Sequence, residues 1–260
     1  MAKGGSRKPL ERLFTISPPG SSLVKCSSLT CHIIRSAVAL RSWSGRLEEA
    51  LQKIHGKGLI SGIMDPIERV RKIVNAISGM SDADFNLSMG YWQQKTYKKG
   101  EFYNEYKNVC RYLGFVLTGV FRIYKFLDSS GVEKNMQFFT NDQFMTSFKS
   151  FFSQEACEYY TESMTESDIL YIHYDHLQHL YKTSPAWERF GRIFAESVLY
   201  AVMNSTEAVL FKSPEDRYAE LISIHPDICN AVPLYHIASY LGIEGPSLSR
   251  IRKRMAAREL

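Results

Sequence analysis

The chain has 260 residues, of which 45% are hydrophobic and 13% aromatic, and it carries a formal net charge of +5. This apolar content is too high for a globally disordered protein, and the length suits one large domain or two of ordinary size. Residues 1–46 hold eight Lys and Arg residues against one acid, Glu11, so the rest of the chain is slightly acidic. The overall charge therefore identifies no partner. The position of the cations within the folded part matters more.

Cysteine usage and hydropathy predict a cytoplasmic protein. The cysteines form no CxxC pair and no pattern with nearby histidines that would predict a zinc site. Scattered single thiols are typical of a reducing compartment. No apolar run approaches the roughly 18–20 residues that a transmembrane helix needs, so we expect no membrane partner and no bound metal. The five cysteines are Cys26, Cys31, Cys110, Cys157 and Cys229.

Residues 1–63 differ in composition from the rest of the chain. They are rich in Ser, Gly and Arg and include "SPPGSS". A basic, acid-poor segment of this kind resembles an organelle-targeting peptide. We favour an extension outside the fold, because "MDPIERVRKIVNAI" opens at Met64 with Asp65 as helix N-cap and Pro66 at the first helical position. Residues 1–63 are thus predicted to be disordered or non-native.

From about residue 91 the sequence becomes typical of β-strands. "CRYLGFVLTGVFRIYKFL" is rich in aromatic and β-branched residues and is interrupted at Gly114 and Gly119. "DSSG" at residues 128–131 is a turn signal, after which "VEKNMQFFT" resumes the strand pattern. "DILYIHY" at residues 168–174 is a further strand. Several short strands at this spacing predict an antiparallel barrel or sandwich.

A long helix is predicted for residues 185–211. After Ser184 and Pro185, apolar residues recur at three- and four-residue spacing for about 25 residues, longer than an average helix. A helix of this length between two domains often packs against a copy of itself in a dimer. An ordinary core helix is the alternative. The candidate dimer-interface residues are Phe190, Phe194, Val198, Ala201 and Val202.

Residues 212–260 are predicted to be helical. "KSPEDRYAELI" starts a helix with Ser213 as N-cap and acids in the first turn. "VPLYHIASYLGIEGPSLSRIRKRM" indicates a helix, a tight turn and a second helix. Gly242 fits the left-handed residue that closes the first of these two helices, and Pro246 fits the first turn of the second.

The last helix has an apolar face and a cationic face. Leu248, Ile251 and Met255 fall on one side at i, i+3 and i+7, and polar residues lie opposite. This combination favours a helix-turn-helix that places its second helix in the DNA major groove, where Arg can read a guanine edge and Lys can neutralise phosphate. A structural helical hairpin with a solvated face is the alternative. The candidate DNA-binding residues are Ser247, Ser249, Arg250, Lys253 and Arg254.

The order of these parts resembles the Crp/Fnr family of bacterial transcription regulators. The likeness rests on "KKGEFYNEYKNVCRYLGFVLTGVFRIYKF", "SDILYIHYDHLQHLYKTSPAWERF", "SPEDRYAELISIHPDI" and, most specifically, "VPLYHIASYLGIEGPSLSRIRKRM". It implies an α+β protein. An N-terminal antiparallel β-roll of cyclic-nucleotide-binding type would occupy residues 64–184 and a dimerisation helix residues 185–211. A helix-turn-helix domain with a truncated wing would occupy residues 212–260.

The resemblance also implies a function. A homodimer would bind double-stranded DNA as a transcription regulator, with RNA polymerase and an unidentified small-molecule effector as further partners. In the family an Arg in the middle of the recognition helix contacts bases, and Arg250 matches it. Gly245 and Pro246 stand where two more base-reading polar residues are usual, so the specificity is expected to differ. The alternative is a module that binds a small molecule or a protein through the β-roll without DNA.

The nucleotide cassette of the family is degenerate in this sequence. Family members hold the ribose with a Gly-Glu pair and the cyclic phosphate with an Arg. "DQFMTSFKSFFSQEACEYYTES" has Thr146 and Ser147 at the first place and Lys149 as its only cation, among three glutamates. A buried anion without a charge-paired donor is costly, so we expect no tight binding of cyclic AMP or cyclic GMP. The nearby aromatic residues indicate either core or an apolar ligand pocket. The candidate pocket residues are Phe144, Thr146, Ser147, Phe148, Tyr159 and Tyr160.

No other cofactor or catalytic set stands out. Cys26 and Cys31 lack the spacing of the family's iron–sulfur cysteine set, and Cys110 is alone. His176 and His179 would share a helix face and could form a metal pair, although a solvated face is the simpler interpretation. Because no nucleophile–base pair or phosphate loop is recognisable, the chain is predicted not to be an enzyme.

Overall fold

The computed structural model describes residues 64–127 and 130–258. The prediction for residues 1–63 lies outside these ranges. The described chain is α+β, as the sequence indicates, with two four-stranded antiparallel sheets and a helical C-terminal part. Within the described ranges, no helix is both long and apolar enough to cross a bilayer.

Two helices and a 3₁₀ turn precede the strands. Helix α1 begins where the sequence predicts, because Asp65 Oδ1 accepts a hydrogen bond from the Ile67 amide at 2.8 Å. Arg69 ties this helix to the turn after β5 through an ion pair with the buried Asp142. These elements are α1 (Pro66–Ser78), α2 (Asp82–Asn86) and the 3₁₀ turn Met89–Tyr91.

The strands form two antiparallel sheets, whose inner faces share a core. The first sheet has the order β1-β8-β3-β6 and the second the order β2-β7-β4-β5. Every pairing is antiparallel. The strands are β1 (Trp92–Tyr97), β2 (Phe102–Asn104), β3 (Tyr112–Thr118), β4 (Phe121–Leu127), β5 (Val132–Phe139), β6 (Phe144–Met145), β7 (Tyr160–Ser163) and β8 (Ser167–His173).

The glycines of the predicted strand run have different roles. Gly119 makes the turn between β3 and β4 with φ of 106°, and a Cβ at this position would lie 2.0 Å from Ser167 Oγ. Only glycine fits there. Gly114 does not interrupt a strand but lies inside β3, against the ring of Tyr103. A short helix, α3 (Phe148–Ser153), follows β6 and was not predicted.

The C-terminal part is helical from Tyr174 onward. The long helix α5 begins after Ser184, whose hydroxyl accepts a hydrogen bond from the Trp187 amide. Ser213 caps α6 in the same way, through the amide of Asp216 at 3.2 Å. In the described residues no strand follows β8. These helices are α4 (Tyr174–Thr183), α5 (Pro185–Phe211), α6 (Pro214–Ile224), α7 (Pro226–Ala231), α8 (Leu234–Tyr240) and α9 (Gly245–Arg258).

Three apolar clusters hold the described chain together. One joins the first sheet to α1, α4 and the first half of α5, with Trp187 and Phe190 fully buried. A second fills the space between the two sheets. The third is the core of α6–α9, and it includes Phe138 from β5 of the second sheet and Val120 from the turn before β4. The C-terminal helices therefore pack directly on the outer face of that sheet.

Candidate nucleic-acid interface

Helices α8 and α9 are joined as a helix-turn-helix. After α8 the chain turns at Gly242, whose φ of 69° is left-handed, and the amide of Ile243 donates to the carbonyl of Ala238 at 3.0 Å. This is the glycine-closed helix end that the sequence predicts, and glycine adopts it at no steric cost. Ala238 and Leu248 are buried where the two helices meet.

Helix α9 turns its predicted cationic side toward solvent. Leu248 is 1% exposed and Ile251 is 6% exposed, whereas Ser249, Arg250 and Lys253 on the opposite side are exposed. The helix Gly245–Arg258 contains five Lys and Arg residues and no acid. A rigid helix thus presents hydroxyl, guanidinium and ammonium groups on one surface. These are the groups that contact DNA bases and phosphates in proteins.

Arg250 has no strong internal partner. Its Nε donates to the Pro246 carbonyl at 3.3 Å and its Nη2 to Ser247 Oγ at 3.4 Å. Both bonds are long and lie within the same helix, so they hold the guanidinium weakly. Ser249 uses its hydroxyl within the helix too, donating to the Gly245 carbonyl at 3.2 Å. The Arg250 guanidinium remains free to exchange these bonds for a ligand.

Other cations of α9 point toward α6. Arg254 Nη2 lies 2.6 Å from Glu215 Oε2, and Arg258 Nη1 lies 2.6 Å from Glu215 Oε1. The positive charge of Arg252 also acts on α6, where it counters the rise that burial causes in the pKa of Tyr218. The sequence pattern grouped Arg254 with Arg250 and Lys253. The structure separates it from them, because the long side chain of Arg254 reaches a carboxylate that lies 39 residues earlier in the chain.

A buried polar network ties α8 to the second sheet. Arg122 on β4 forms ion pairs with Glu133 on β5 at 2.5 Å and Glu162 on β7 at 2.6 Å. Its Nη1 also donates to His236 Nδ1 on α8 at 2.8 Å. Burial and the neighbouring guanidinium lower the pKa of His236 to about 4, so the imidazole is neutral and accepts this hydrogen bond at neutral pH.

Backbone contacts support the same junction. The amide of Asn135 on β5 donates to Ser239 Oγ at 3.1 Å, and that hydroxyl donates to the Glu133 carbonyl at 3.0 Å. Sequence reasoning missed this network, since its members on α8 are more than 100 residues from its members on the sheet. The signals available in the sequence were a single Arg within a strand pattern and a His on the apolar side of α8.

The predicted pocket residues do not line one cavity. Thr146 is fully buried and its hydroxyl donates to the Tyr112 carbonyl at 2.9 Å. Ser147 lies against Thr161, with 3.1 Å between the hydroxyl oxygens. Thr161 on β7 is buried against Ser147 on the inner face. Tyr160 is the preceding residue of the strand, and successive strand residues point to opposite faces. Tyr160 therefore lies on the outer face of the sheet.

The aromatic members of the predicted pocket are packed into two clusters. Phe144 meets Phe194 at 5.4 Å between ring centroids, and Phe148 meets the same ring at 6.1 Å. On the outer face, Tyr160 stacks on Tyr124 with centroids 5.3 Å apart. Tyr159 is half-buried. The structure thus places the predicted pocket rings apart, since Phe144 belongs to the first sheet and Tyr160 to the outer face of the second.

The cassette cation is not directed at a buried site. Lys149 is exposed and lies 3.1 Å from Glu158. Inside the roll, Tyr97, Tyr103 and Phe121 pack edge to face, and the Tyr103 hydroxyl donates to the Tyr112 carbonyl at 2.7 Å. Burial raises the pKa of Tyr103 well above its ordinary value, so this hydroxyl stays protonated.

The long helix α5 has a buried half and an exposed half. Phe190 and Phe194 pack in the core of their own chain, so these two predicted dimer residues are not available to a partner. Val198 is half-buried, and Ala201 is exposed. Val202 is 57% exposed. Further apolar side chains of this half are exposed, namely Leu199, Met203, Val209, Leu210 and Phe211.

The histidines on α4 enclose an aromatic ring. Tyr91 stacks on His176 with ring centroids 4.4 Å apart and meets His179 edge-on at 6.5 Å. The ring stands beside both imidazoles of the candidate metal pair. Among the residues that the structure describes, no group of three or more His, Cys, Asp or Glu could hold a metal ion.

Solved structures with a similar fold include bacterial regulators. FixK2 from Bradyrhizobium japonicum has a TM-score of 0.54 at 16% identity, covering 65% of this chain and 86% of its own. The c-di-GMP-responsive global regulator CLP from Xanthomonas campestris has a TM-score of 0.53 at 18% identity, covering 69% and 94%. A protein from Eubacterium rectale assigned to the crp/fnr family of transcriptional regulators has a TM-score of 0.53 at 16% identity, covering 69% and 85%.

These structural neighbours are Crp/Fnr regulators. The resemblance that the sequence indicates is thus confirmed at the level of the fold. No protein-family model and no curated protein sequence matches the chain. The TM-scores show a shared fold. At identities of 16–18% the contact residues must be argued from this chain alone.

Proposed function

We propose that this chain is a homodimeric, sequence-specific DNA-binding transcription regulator of the Crp/Fnr type. The observation that carries the proposal is α9, whose apolar side is buried against α8 while Ser249, Arg250 and Lys253 face solvent. In a helix-turn-helix, the second helix enters the major groove with such a face. Residues 64–184 would form the sensor roll, 185–211 the dimerisation helix and 212–260 the DNA-binding domain.

The residues of α9 have different proposed roles. Arg250 is the base-reading residue, because its guanidinium is exposed and can form two parallel hydrogen bonds to a guanine edge. Lys253 lies one turn further on the same side and neutralises phosphate. Ser247 and Ser249 contact bases or phosphates through their hydroxyls. Arg254 is left out of this set, since Glu215 already binds it.

The second half of α5 is the proposed dimer seam. Val202 and Met203 lie three and four residues after Leu199, Leu210 lies seven residues after Met203, and each of the four is more than half exposed. Helices that present such a stripe commonly pair along it. A two-fold dimer would set two copies of α9 about one DNA turn, or roughly 34 Å, apart. Phe190 and Phe194 are excluded from the seam because their own chain buries them.

The effector of this regulator is proposed to be something other than cyclic AMP or cyclic GMP. The Thr146 and Ser147 hydroxyls are bonded within the chain, and Lys149 is turned to Glu158 at the surface. Arg122 forms ion pairs with Glu133 and Glu162 on the outer face of the second sheet. None of these groups is placed to pair with a buried cyclic phosphate.

Selection from a random duplex library tests the proposal. A dimeric reader should enrich inverted repeats whose half-sites lie about one helical turn apart. On the enriched duplex, Arg250→Ala should cost about 1–3 kcal/mol and relax one base position in each half-site. Arg192→Ala is the matched control, because Arg192 is an exposed Arg on α5, paired with Glu196. If no sequence is enriched, or if both variants bind as the parent does, α9 is not the recognition helix.

A further inference from the structure

Glu215 is the shared anion of two arginines on the proposed recognition helix. One carboxylate oxygen lies 2.6 Å from Arg254 and the other 2.6 Å from Arg258. The two arginines are four residues apart on α9, so they stand one above the other on the same side of the helix. Each carboxylate oxygen of Glu215 thus binds a different guanidinium. A DNA phosphate, which also has two free oxygens, could bind the same two side chains in this way.

The position of Glu215 favours its negative charge. It is the second residue of α6, two positions after the Ser213 cap, where unpaired backbone amides give the helix a positive end. Its side chain is only 22% exposed, whereas those of Arg254 and Arg258 are 57% and 70% exposed. The carboxylate is therefore the fixed partner of the pair, and the two arginines are the groups that could turn to another anion.

The fold of the C-terminal helices does not depend on these contacts. Tyr218 and Leu221 of α6 are buried in one apolar cluster with Leu248 and Ile251 of α9, and that cluster sets how the two helices pack. Ion pairs between exposed side chains add little to stability in water. Glu215 therefore matters less for stability than for the charge of α9, because it pairs with two of the cations on that helix.

We propose that Glu215 acts as an internal substitute for phosphate, which keeps Arg254 and Arg258 off the DNA backbone. The inference rests on the proposed DNA-binding function. Glu215 thereby limits the sequence-independent part of DNA affinity, which grows with each phosphate that a protein neutralises. Recognition then depends more on Arg250 than on the total charge of α9.

Glu215→Gln tests this role through the salt dependence of binding. The probe is a 30-bp duplex of random sequence, titrated by fluorescence anisotropy at several salt concentrations with the full chain. The variant should bind on the order of tenfold more tightly at low salt. The slope of log K against log salt should steepen by about 1.8, because two more phosphates are neutralised. The gain should be equal on an enriched duplex, since phosphate contacts do not read sequence.

Glu220→Gln is the matched control. Glu220 lies on the same helix and pairs with Lys212 at 2.7 Å, so its loss changes the net charge equally without freeing a cation of α9. It should leave the slope unchanged. Adding Arg254→Ala and Arg258→Ala to Glu215→Gln should return both the affinity and the slope to the parent values.

Two results would overturn the inference. The first is a Glu215→Gln variant that is folded by circular dichroism and binds no better than Glu220→Gln. The second is a single Arg254→Ala change in the parent that weakens binding as much as Lys253→Ala, which would mean that Arg254 already contacts phosphate. The second test holds even where Glu215→Gln does not fold. If the parent protein binds no duplex at all, the proposed function fails instead.

Discussion

The β-roll and the helix-turn-helix differ in whether their polar side chains are buried and paired or exposed to solvent. In the roll, Thr146, Ser147 and Arg122 are buried, and each has a partner within the chain. On α9, Arg250 and Lys253 are exposed, and neither forms an ion pair within the described residues. Polar groups that the fold has satisfied are poor candidates for ligand contacts, and exposed ones on a rigid helix are better ones. We therefore infer that recognition lies on α9.

The largest expected effect comes from breaking the buried network of the roll. Arg122→Met should lower the free energy of unfolding by about 3–5 kcal/mol, because Glu133 and Glu162 are left close together without their cation. Urea denaturation followed by tryptophan fluorescence measures the loss. The triple variant with Glu133→Gln and Glu162→Gln should regain most of the stability. A single Arg122→Met variant as stable as the parent would show that these buried charges are not a structural network.

A smaller effect is expected from pH at the junction of the two regions. The pKa of His236 is lowered to about 4 in the folded chain, while an unfolded His titrates near 6.5. The unfolded state therefore binds the proton first as the pH falls. Stability should be full above about pH 6.5 and should decline toward pH 4, by up to about 3 kcal/mol.

Denaturation at a series of pH values measures this decline, and His236→Gln is the control. Glutamine keeps an acceptor for the Arg122 guanidinium but does not titrate, so the part of the slope between pH 6.5 and 4 that belongs to His236 should disappear. An unchanged slope in this variant would assign the pH dependence to other groups, such as the carboxylates around Arg122.

The last prediction is an absence of effect: we expect no binding of the cyclic nucleotides, the ligands of the cyclic-nucleotide-binding roll that the sequence resembles. Calorimetric titration with cyclic AMP or cyclic GMP should give no binding heat at micromolar concentrations. The hydroxyls of the cassette are used within the chain, and Lys149 is at the surface. Micromolar binding of either nucleotide would contradict the view that the polar groups of the roll are used within the chain while those of α9 are exposed to a ligand.

Much of the fold could be predicted from local sequence signals. Ser184, Ser213 and Gly242 mark helix ends through their own backbone and side-chain chemistry, and each lies at the predicted place. The two faces of α9 follow from the spacing of Leu248 and Ile251 alone. These features depend on residues only a few positions apart, so a linear pattern contains the information needed.

The candidate sites were predicted less completely, for reasons that the fold makes clear. Phe190 matches a dimer stripe, but α1 and the first sheet bury it. Tyr160 was grouped with Ser147 by proximity in the cassette, although strand alternation places its ring on the outer face. A periodic pattern shows which side of an element is apolar and does not show what covers that side.

The sequence by itself determined the order of elements, the helix ends, the cationic face of α9 and the loss of the nucleotide cassette's Gly-Glu pair and Arg. Each of these is a property of residue type and short spacing. Only the tertiary structure decided that Arg122 meets His236 and that Glu215 binds Arg254 and Arg258. Those contacts join side chains 39 to 114 residues apart. Charge and hydrogen bonding act through distances in space, which the fold sets and the linear sequence does not contain.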